Sequence, residues 1–330
     1  MAKKTSRTQK TTGGIRVMVI VLAIALVLCV GVYLLMVTTT ETELPSTGTT
    51  GTSDTVTDGV SDTTTGGTST TTGVSGTISV CSFNIQIFGV SKMSKPEVVD
   101  ILVDIVSQTD ITAIQEVRSS SEEPVLQFME RLPPHYDYVL GPREGRSSSK
   151  EQYWVIYDAN KLELIATDTW SDPEDIYERN PLGAFFRTRD NFDFIIIDNH
   201  IQPSGALAEI TALSEVIGYY RDLWQETDIL VLGDFNADGS YYDEALLETT
   251  FPPDEYAIII GNDVDTTVGA AANTYDRFII TGTAIEDYTG NSGVIRFDER
   301  YDFSSLSIEP RNVSDHYPIW AEFWVNADTD

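Results

Sequence analysis

A series of short apolar runs, each closed by a polar or charged residue, most constrains what this chain can fold into. Residues 78–85, 111–115, 194–199 and 229–232 are four to eight residues long and rich in Val, Ile and Phe. That is the length and composition of buried strands. Similar runs occupy 136–140, 153–157, 162–166, 184–187, 277–281 and 319–325. Helical periodicity intervenes over 95–107, 122–132, 206–224 and 242–248. Val99, Leu102, Val103 and Val106 share one face of the first, and Leu207, Ile210, Leu213, Ile217 and Tyr220 one face of the third. Many strands with a few interspersed helices predict an α/β sandwich, sheets inside and helices outside. Chemistry is then expected where strands run out into loops.

Ahead of these runs the chain changes character twice. Residues 17–37 are 21 uncharged residues rich in Val, Ile and Leu. At about 1.5 Å per residue they span the roughly 30 Å hydrocarbon core of a bilayer. Lys3, Lys4, Arg7, Lys10 and Arg16 precede this run, and the next basic residue is Lys92. The positive-inside bias predicts a single-pass protein of the cell membrane, its N-terminus cytoplasmic and the remainder extracellular. A cleaved signal peptide is the alternative, disfavoured by the length of the run and the lack of an A-x-A-like site. Residues 38–77 are Thr, Ser or Gly at 30 of 40 positions, with no aromatic, and are expected to stay flexible. The expected organisation is a basic tail (1–16), a transmembrane helix (17–37), a disordered linker (38–77) and one globular domain (78–330). Of the two cysteines, Cys29 lies in the span and Cys81 in the first strand, so no disulfide forms within the chain and Cys81 reads as a buried thiol.

The polar residues that close the runs fall into six motifs. Asn84 ends the first strand and by itself suits a turn. Glu116 ends a buried strand, where a charge is costly unless paired or on a metal, and both readings stay open. Glu151, in Lys150-Glu151-Gln152, leads into a strand and alone suits a solvated turn. His200 closes the strand 194–199. Asp234 and Asn236 are two apart in Gly233-Asp234-Phe235-Asn236-Ala237-Asp238, so in extended chain they point the same way. Asp315-His316 precede the last strand. Asp276, opening another strand in Tyr275-Asp276-Arg277, is a candidate orienter for a histidine. The third histidine, His135, follows Pro133-Pro134 in an apparent surface turn.

Phosphodiester hydrolysis asks for these parts: a base for water, an acid for the departing oxygen, and a cation against the phosphoryl charge. Asn and carboxylate oxygens without a cysteine cluster suit Mg²⁺, Mn²⁺ or Ca²⁺ rather than zinc. The formal charge of −30 runs against the basic footprint usual for nucleic-acid binding. A bound metal with a few local arginines, or a saline habitat that screens the repulsion, would reconcile the two.

In their order and spelling, "GDFNAD", "YDRFII" and "SDHYP" resemble the endonuclease/exonuclease/phosphatase superfamily, and within it the deoxyribonuclease I type. The resemblance runs from Ile78 to the last strand. It implies a four-layered α/β sandwich and an endonuclease acting on DNA, with RNA also admitted, which the N-terminal run would place outside the cell. It implies that Asn84, Glu116, Asp234 and Asp315 surround a catalytic Mg²⁺ or Mn²⁺, with Ca²⁺ as a further cofactor. His200 and His316 would be the acid–base pair, held by Glu151 and Asp276, and Asn236 would contact the scissile phosphate. Arg118 would enter the minor groove while Arg146 and Arg179 face DNA phosphates. Departures are Ser149 where the family has a tyrosine and Gln86 where it has an arginine, both of which weaken duplex grip. Gly239 and Asn273 stand where a disulfide would be. A structural-calcium loop survives in part, with Asp265 and Thr267 matching while Gly269 and Ala271 lack side-chain oxygens. The expected partners are nucleic acid and, through the N-terminal helix, the membrane, with the chain otherwise monomeric. Two rivals remain: a same-fold enzyme acting on sphingomyelin or inositol phosphates, and a non-catalytic surface binding protein. The arginines disfavour the first, and the completeness of the histidine and carboxylate set disfavours the second.

Overall fold

Alternation along the strands sets the architecture. The computed structural model describes residues 76–146 and 148–325. In the strand Asp193–His200, Phe194 and Ile196 pack to one side and Ile195 and Ile197 to the other. Successive side chains point to opposite faces, so a strand apolar on both must be covered twice.

The strands are β1 (Thr77–Phe88), β2 (Ile111–Val117), β3 (Tyr136–Leu140), β4 (Gln152–Asp158), β5 (Leu162–Thr169) and β6 (Leu182–Thr188). They continue with β7 (Asp193–His200), β8 (Ile229–Asp234), β9 (Tyr256–Ile258), β10 (Asp276–Thr281), β11 (Tyr288–Val294) and β12 (Ile319–Trp324). They form two six-stranded sheets, ordered β11-β12-β1-β2-β4-β3 and β5-β6-β7-β8-β10-β9. The inner faces meet through Val80, Ala113, Val155, Ile196, Leu230 and Phe278. Helices α1 (Val90–Met93), α2 (Pro96–Val106) and α3 (Glu123–Met129) lie on the first sheet, where Leu102, Ile105 and Phe128 pack with Phe83, Ile114 and Trp154. Helix α4 (Ala206–Trp224) covers the second, setting Ile210, Leu213 and Ile217 against Ile195, Val231 and Ile279. The result is the expected order of layers, helix on sheet on sheet on helix.

Topology gathers the six motifs at one edge. Each sheet holds one parallel pair joined through a covering helix, β1–α2–β2 and β7–α4–β8. Such a crossover returns the chain in the same direction, so both strands of a pair end together. Asn84 and Glu116 are thus at one exit, and His200 and Asp234 at the other, with His200 paired to Asp234 in the ladder. Strands β4, β10 and β12 run antiparallel to β2, β8 and β1, so they begin at that edge and bring Glu151, Asp276 and His316 there.

Several expectations need correction. The helix expected over 242–248 is a 3-10 turn, Glu244–Leu246, followed by one helical turn, Leu247–Thr250. Asp243 caps Ala245 N, and Pro252-Pro253 stops the segment. Leu207 is 57% exposed because it lies on the outer side of the first turn of α4, where Ala206 is buried instead. Strand β1 runs to Phe88, past the expected end at 85, through a register shift in which Gln86 and Ile87 adopt φ of 32° and 55°. Strand β11 was not anticipated, since Tyr288–Val294 reads as turn residues and pairs only with β12. Thr77, expected in the linker, opens β1. Cys81 is buried with a free thiol. The basic tail, the apolar run 17–37 with Cys29, and linker residues 38–75 lie outside the described residues. Among the described residues no helix is long and apolar enough to cross a membrane.

Candidate active site

One carboxylate oxygen is the hub of the site. Asp234 Oδ2 accepts from Asn84 Nδ2 at 2.9 Å, and lies 3.4 Å from His200 Nε2 and 3.5 Å from His316 Nε2. Each imidazole is tied at its other nitrogen to its own buried carboxylate. His200 Nδ1 is 2.5 Å from Glu151 Oε1, and His316 Nδ1 is 2.8 Å from Asp276 Oδ2. A carboxylate on Nδ1 fixes the ring orientation and leaves Nε2 for chemistry. The expected pairings of His200 with Glu151 and His316 with Asp276 are therefore those the fold makes.

The charges follow from these neighbours. Burial pushes the Glu151 carboxyl up, but His200, Arg179 and Arg118 outweigh it and hold it at about 2. Burial works against a charged His316, yet Asp276 and Asp234 raise it to about 10. Asp234 is held below its ordinary value, the two histidines overcoming the cost of burial.

Backbone geometry at the hub is special. Gly233 has φ 137°, and a Cβ there would lie 1.9 Å from Asn199 O, so only glycine lets β8 close on β7 at the His200–Asp234 rung. Gln86, Ile87, Glu116 and Asn236 all have positive φ without being glycine. Such conformations are costly and collect at functional sites. Asn236 donates its backbone N–H to Asp234 Oδ1 at 3.0 Å and its amide to Ile201 O at 2.9 Å.

The turn 84–87 links the remaining carboxylates. Asn84 Oδ1 accepts from Gln86 N, Gln86 Nε2 donates to Asp315 Oδ2 at 2.7 Å, and Ile87 N donates to Glu116 Oε2 at 2.9 Å. Glu116 and Asp315 thus flank one turn, and both act electrostatically on Lys92. Among the described residues, Asp234, Asp276 and His316 bring possible ligand atoms within 4.8 Å of one another. Asp276 in this group is already bound to His316 Nδ1 at 2.8 Å, whereas Asn84, Glu116, Asp234 and Asp315 offer hard oxygens and no thiol, a donor chemistry that fits a divalent cation of the magnesium class.

The arginines are more internal than the sequence implies. Arg118 lies 3.0 Å from Glu116 and 3.3 Å from Glu151, bridging the two carboxylates, and Arg118 Nη1 donates to Ser149 Oγ. Arg179 Nε faces Glu151 Oε1 at 2.9 Å and His200 O at 2.8 Å, and its buried Nη2 has no hydrogen-bond partner among the described residues. Arg146 alone is mainly outward, paired with Asp175 at 2.9 Å. Asp265 and Thr267, the pair matched to a calcium loop, are engaged within the protein. Asp265 Oδ1 accepts from Thr267 N, Thr267 Oγ1 and Asn273 N, and Oδ2 faces Arg296 Nη1 at 3.2 Å. Gly239 and Asn273 are neighbours without a disulfide, a Cβ on Gly239 falling 3.2 Å from Asn273 Oδ1.

Four supporting residues escaped the sequence reading. Lys92 is buried and donates at 2.6 Å to both Ile85 O and Val313 O. Tyr153 OH accepts from His200 N. Gln115 Nε2 donates to Asp198 Oδ1 at 2.6 Å across the two sheets, and burial pushes the Asp198 carboxyl well above the carboxylate range. Of these, only Asp198, an acid within the apolar run 194–199, carries a signal in the sequence.

Comparison with known proteins agrees with this geometry. The model of the Endonuclease/Exonuclease/phosphatase family matches residues 81–316. Mouse deoxyribonuclease gamma is 32% identical over 262 residues, covering 73% of this chain and 83% of its own length. Mouse deoxyribonuclease-1 is 31% identical over 264 residues, covering 74% and 91%. Among solved structures, D. rerio TDP2 complexed with single strand DNA product superposes with TM-score 0.55 at 14% identity, covering 75% of this chain and 98% of that one. A mannosyl-6-phosphatase from Bacteroides thetaiotaomicron does so with TM-score 0.53 at 14% identity, covering 74% and 99%. The last two share the fold alone. With more than two thirds of its length, from before Asn84 to His316, inside the match, the chain belongs to the endonuclease/exonuclease/phosphatase family.

Proposed function

We propose that the protein is a divalent-metal-dependent phosphodiesterase that cuts nucleic acid, DNA by preference, using His200 and His316 as its acid–base pair. The observation that carries this reading is the convergence of two carboxylate-held imidazoles, whose Nε2 atoms lie 3.4 and 3.5 Å from the same Asp234 oxygen. A proton taken from water by one imidazole and a proton given to the departing oxygen by the other complete hydrolysis without net change in the pair. Glu151 and Asp276 hold the rings through both transfers. Glu116, Asp234, Asp315 and Asn84 would hold Mg²⁺ or Mn²⁺, which supplies positive charge against the phosphoryl oxygens when bound. Asn236 lies beside Asp234 and is placed to contact the scissile phosphate, while Arg118 and Arg179 lend positive charge to an otherwise acidic domain. The preference for DNA is supported by the curated relatives, named as deoxyribonucleases.

We infer further that the run 17–37 tethers this domain to the outer face of the cell membrane. The support is the sequence: an uncharged run of 21 residues, with basic residues before it and none after it until Lys92.

Nicking of supercoiled plasmid by the full-length chain tests the reading, in Mg²⁺ or Mn²⁺, with a chelator control, over a salt series. Nicking that needs the metal and falls by at least about 100-fold in His200→Ala supports it. A folded protein that nicks nothing under any of these conditions overturns the nucleic-acid substrate and points to phospholipid or phosphomonoester substrates of the same fold.

A further inference from the structure

The loop 265–273 faces a half-exposed cation, Arg296, from the segment that follows β11. Asp265 Oδ2 faces Arg296 Nη1 at 3.2 Å, while Oδ1 collects Thr267 N, Thr267 Oγ1 and Asn273 N between 3.1 and 3.3 Å. Both carboxylate oxygens are engaged. A calcium ion asks for roughly six to eight oxygens, and here the positions two and four residues beyond Thr267 are Gly269 and Ala271. Any ion at Asp265 would also sit against a guanidinium. The guanidinium carbon lies 4.3 Å above the Tyr317 ring, so Arg296 bridges the loop to the residue next to His316. The other charges facing Arg296 are Asp298 and Glu299, each 3.8 Å from Nε.

This loop is the support of one half of the catalytic pair. Val268 N donates to Asp315 O and Tyr317 N to Thr266 O, both at 2.8 Å, and Thr267 bridges to His316. Thr266 Oγ1 also accepts from Asp276 N at 3.1 Å. The segment thus touches Asp315, His316 and the carboxylate that orients His316.

We propose that Arg296 is the built-in replacement for a structural divalent ion at Asp265, and a positioning residue for His316 and Asp315. A fixed guanidinium neutralises the same carboxylate at no dependence on ion concentration, and its planar face adds the contact to Tyr317. The catalytic consequence rests on the nuclease reading. The structural consequence does not, so the two can fail separately.

The test uses the full-length chain with magnesium present throughout, in EGTA or in millimolar calcium. The wild type is expected to melt at the same temperature in both. Arg296→Gln should lower the midpoint by about 3–6 °C. It should lower kcat by about tenfold with KM little changed, since His316 is displaced while substrate contacts remain. Arg296→Lys should recover part of both losses. A wild type that loses several degrees on calcium chelation overturns the proposal, as does an Arg296→Gln variant with unchanged kcat. If Arg296→Gln does not fold, the wild-type chelation series and Asp265→Asn decide. That variant keeps the turn's acceptor but loses the charge, and a wild-type midpoint in Asp265→Asn would contradict the ion pair.

Discussion

At the scale of single residues, the site is a balance of charges held out of water. Glu151 shows the balance most clearly, since three cationic partners keep its carboxyl at about 2 against an ordinary 4.5. A carboxyl depressed in the folded state stabilises above its unfolded value and loses that contribution as pH falls through the folded one. Glu151→Gln should therefore cost about 3 kcal/mol near about pH 6. The gap from wild type should shrink between pH 4.5 and about 2. Denaturant unfolding of both proteins across that range measures it. A gap that does not vary with pH would show that Glu151 contributes packing rather than charge.

At the scale of elements, what was legible in the sequence and what was not divide along the range of the interaction. Glu116, His200 and Asp234 could be read at strand ends because strand length and apolar content are local, whereas β1 runs four residues past Asn84. The extended reading of Asp234 and Asn236 does not hold, because β8 ends at Asp234 and Asn236 turns with φ 46°, bonding Asp234 Oδ1 through its backbone N–H. The bulge at Gln86 and Ile87 could not be read, because nothing in a Gln-Ile pair announces positive φ. Nor could Arg296 with Asp265 or Gln115 with Asp198, which are 31 and 83 residues apart and meet only once the sheets have packed. Lys92 belongs to the same class, since one of its two carbonyl partners is 221 residues away. It fastens α1 and the exit of β1 to the segment that leads into Asp315. Burial lowers its ammonium to about 8, so the charge is maintained at a cost. Lys92→Met keeps the stem and leaves two buried carbonyls without a donor, for a predicted loss of about 2–4 kcal/mol. Chemical denaturation reads it directly. A loss under about 0.5 kcal/mol would mean that water replaces the ammonium and that the clamp is not structural.

At the scale of the whole molecule, two mixed six-stranded sheets are pressed together so that their parallel pairs end at one edge. Function then depends on groups supplied by both: His200, Asp234 and Asp276 from one sheet, Asn84, Glu116 and Asp315-His316 from the other. The inter-sheet core of Val80, Ile196, Leu230 and Phe278 sets the distance between the histidines as much as it stabilises the fold. An acidic chain of net charge −30 can still attract phosphate at such a seam if cations are concentrated there, which Arg118, Arg179 and the carboxylate-bound metal would do. The central claim is that the two histidines act as one unit across the seam. Its most direct test is the turnover of His200→Ala, His316→Ala and the double variant on the same DNA with saturating magnesium. Each single variant should lose about 10²–10⁴ in kcat, and the double variant little more than the worse single one, because either loss disables the shared proton transfer. Single variants within about threefold of the wild type, or a double variant whose loss is the product of the two, would contradict it.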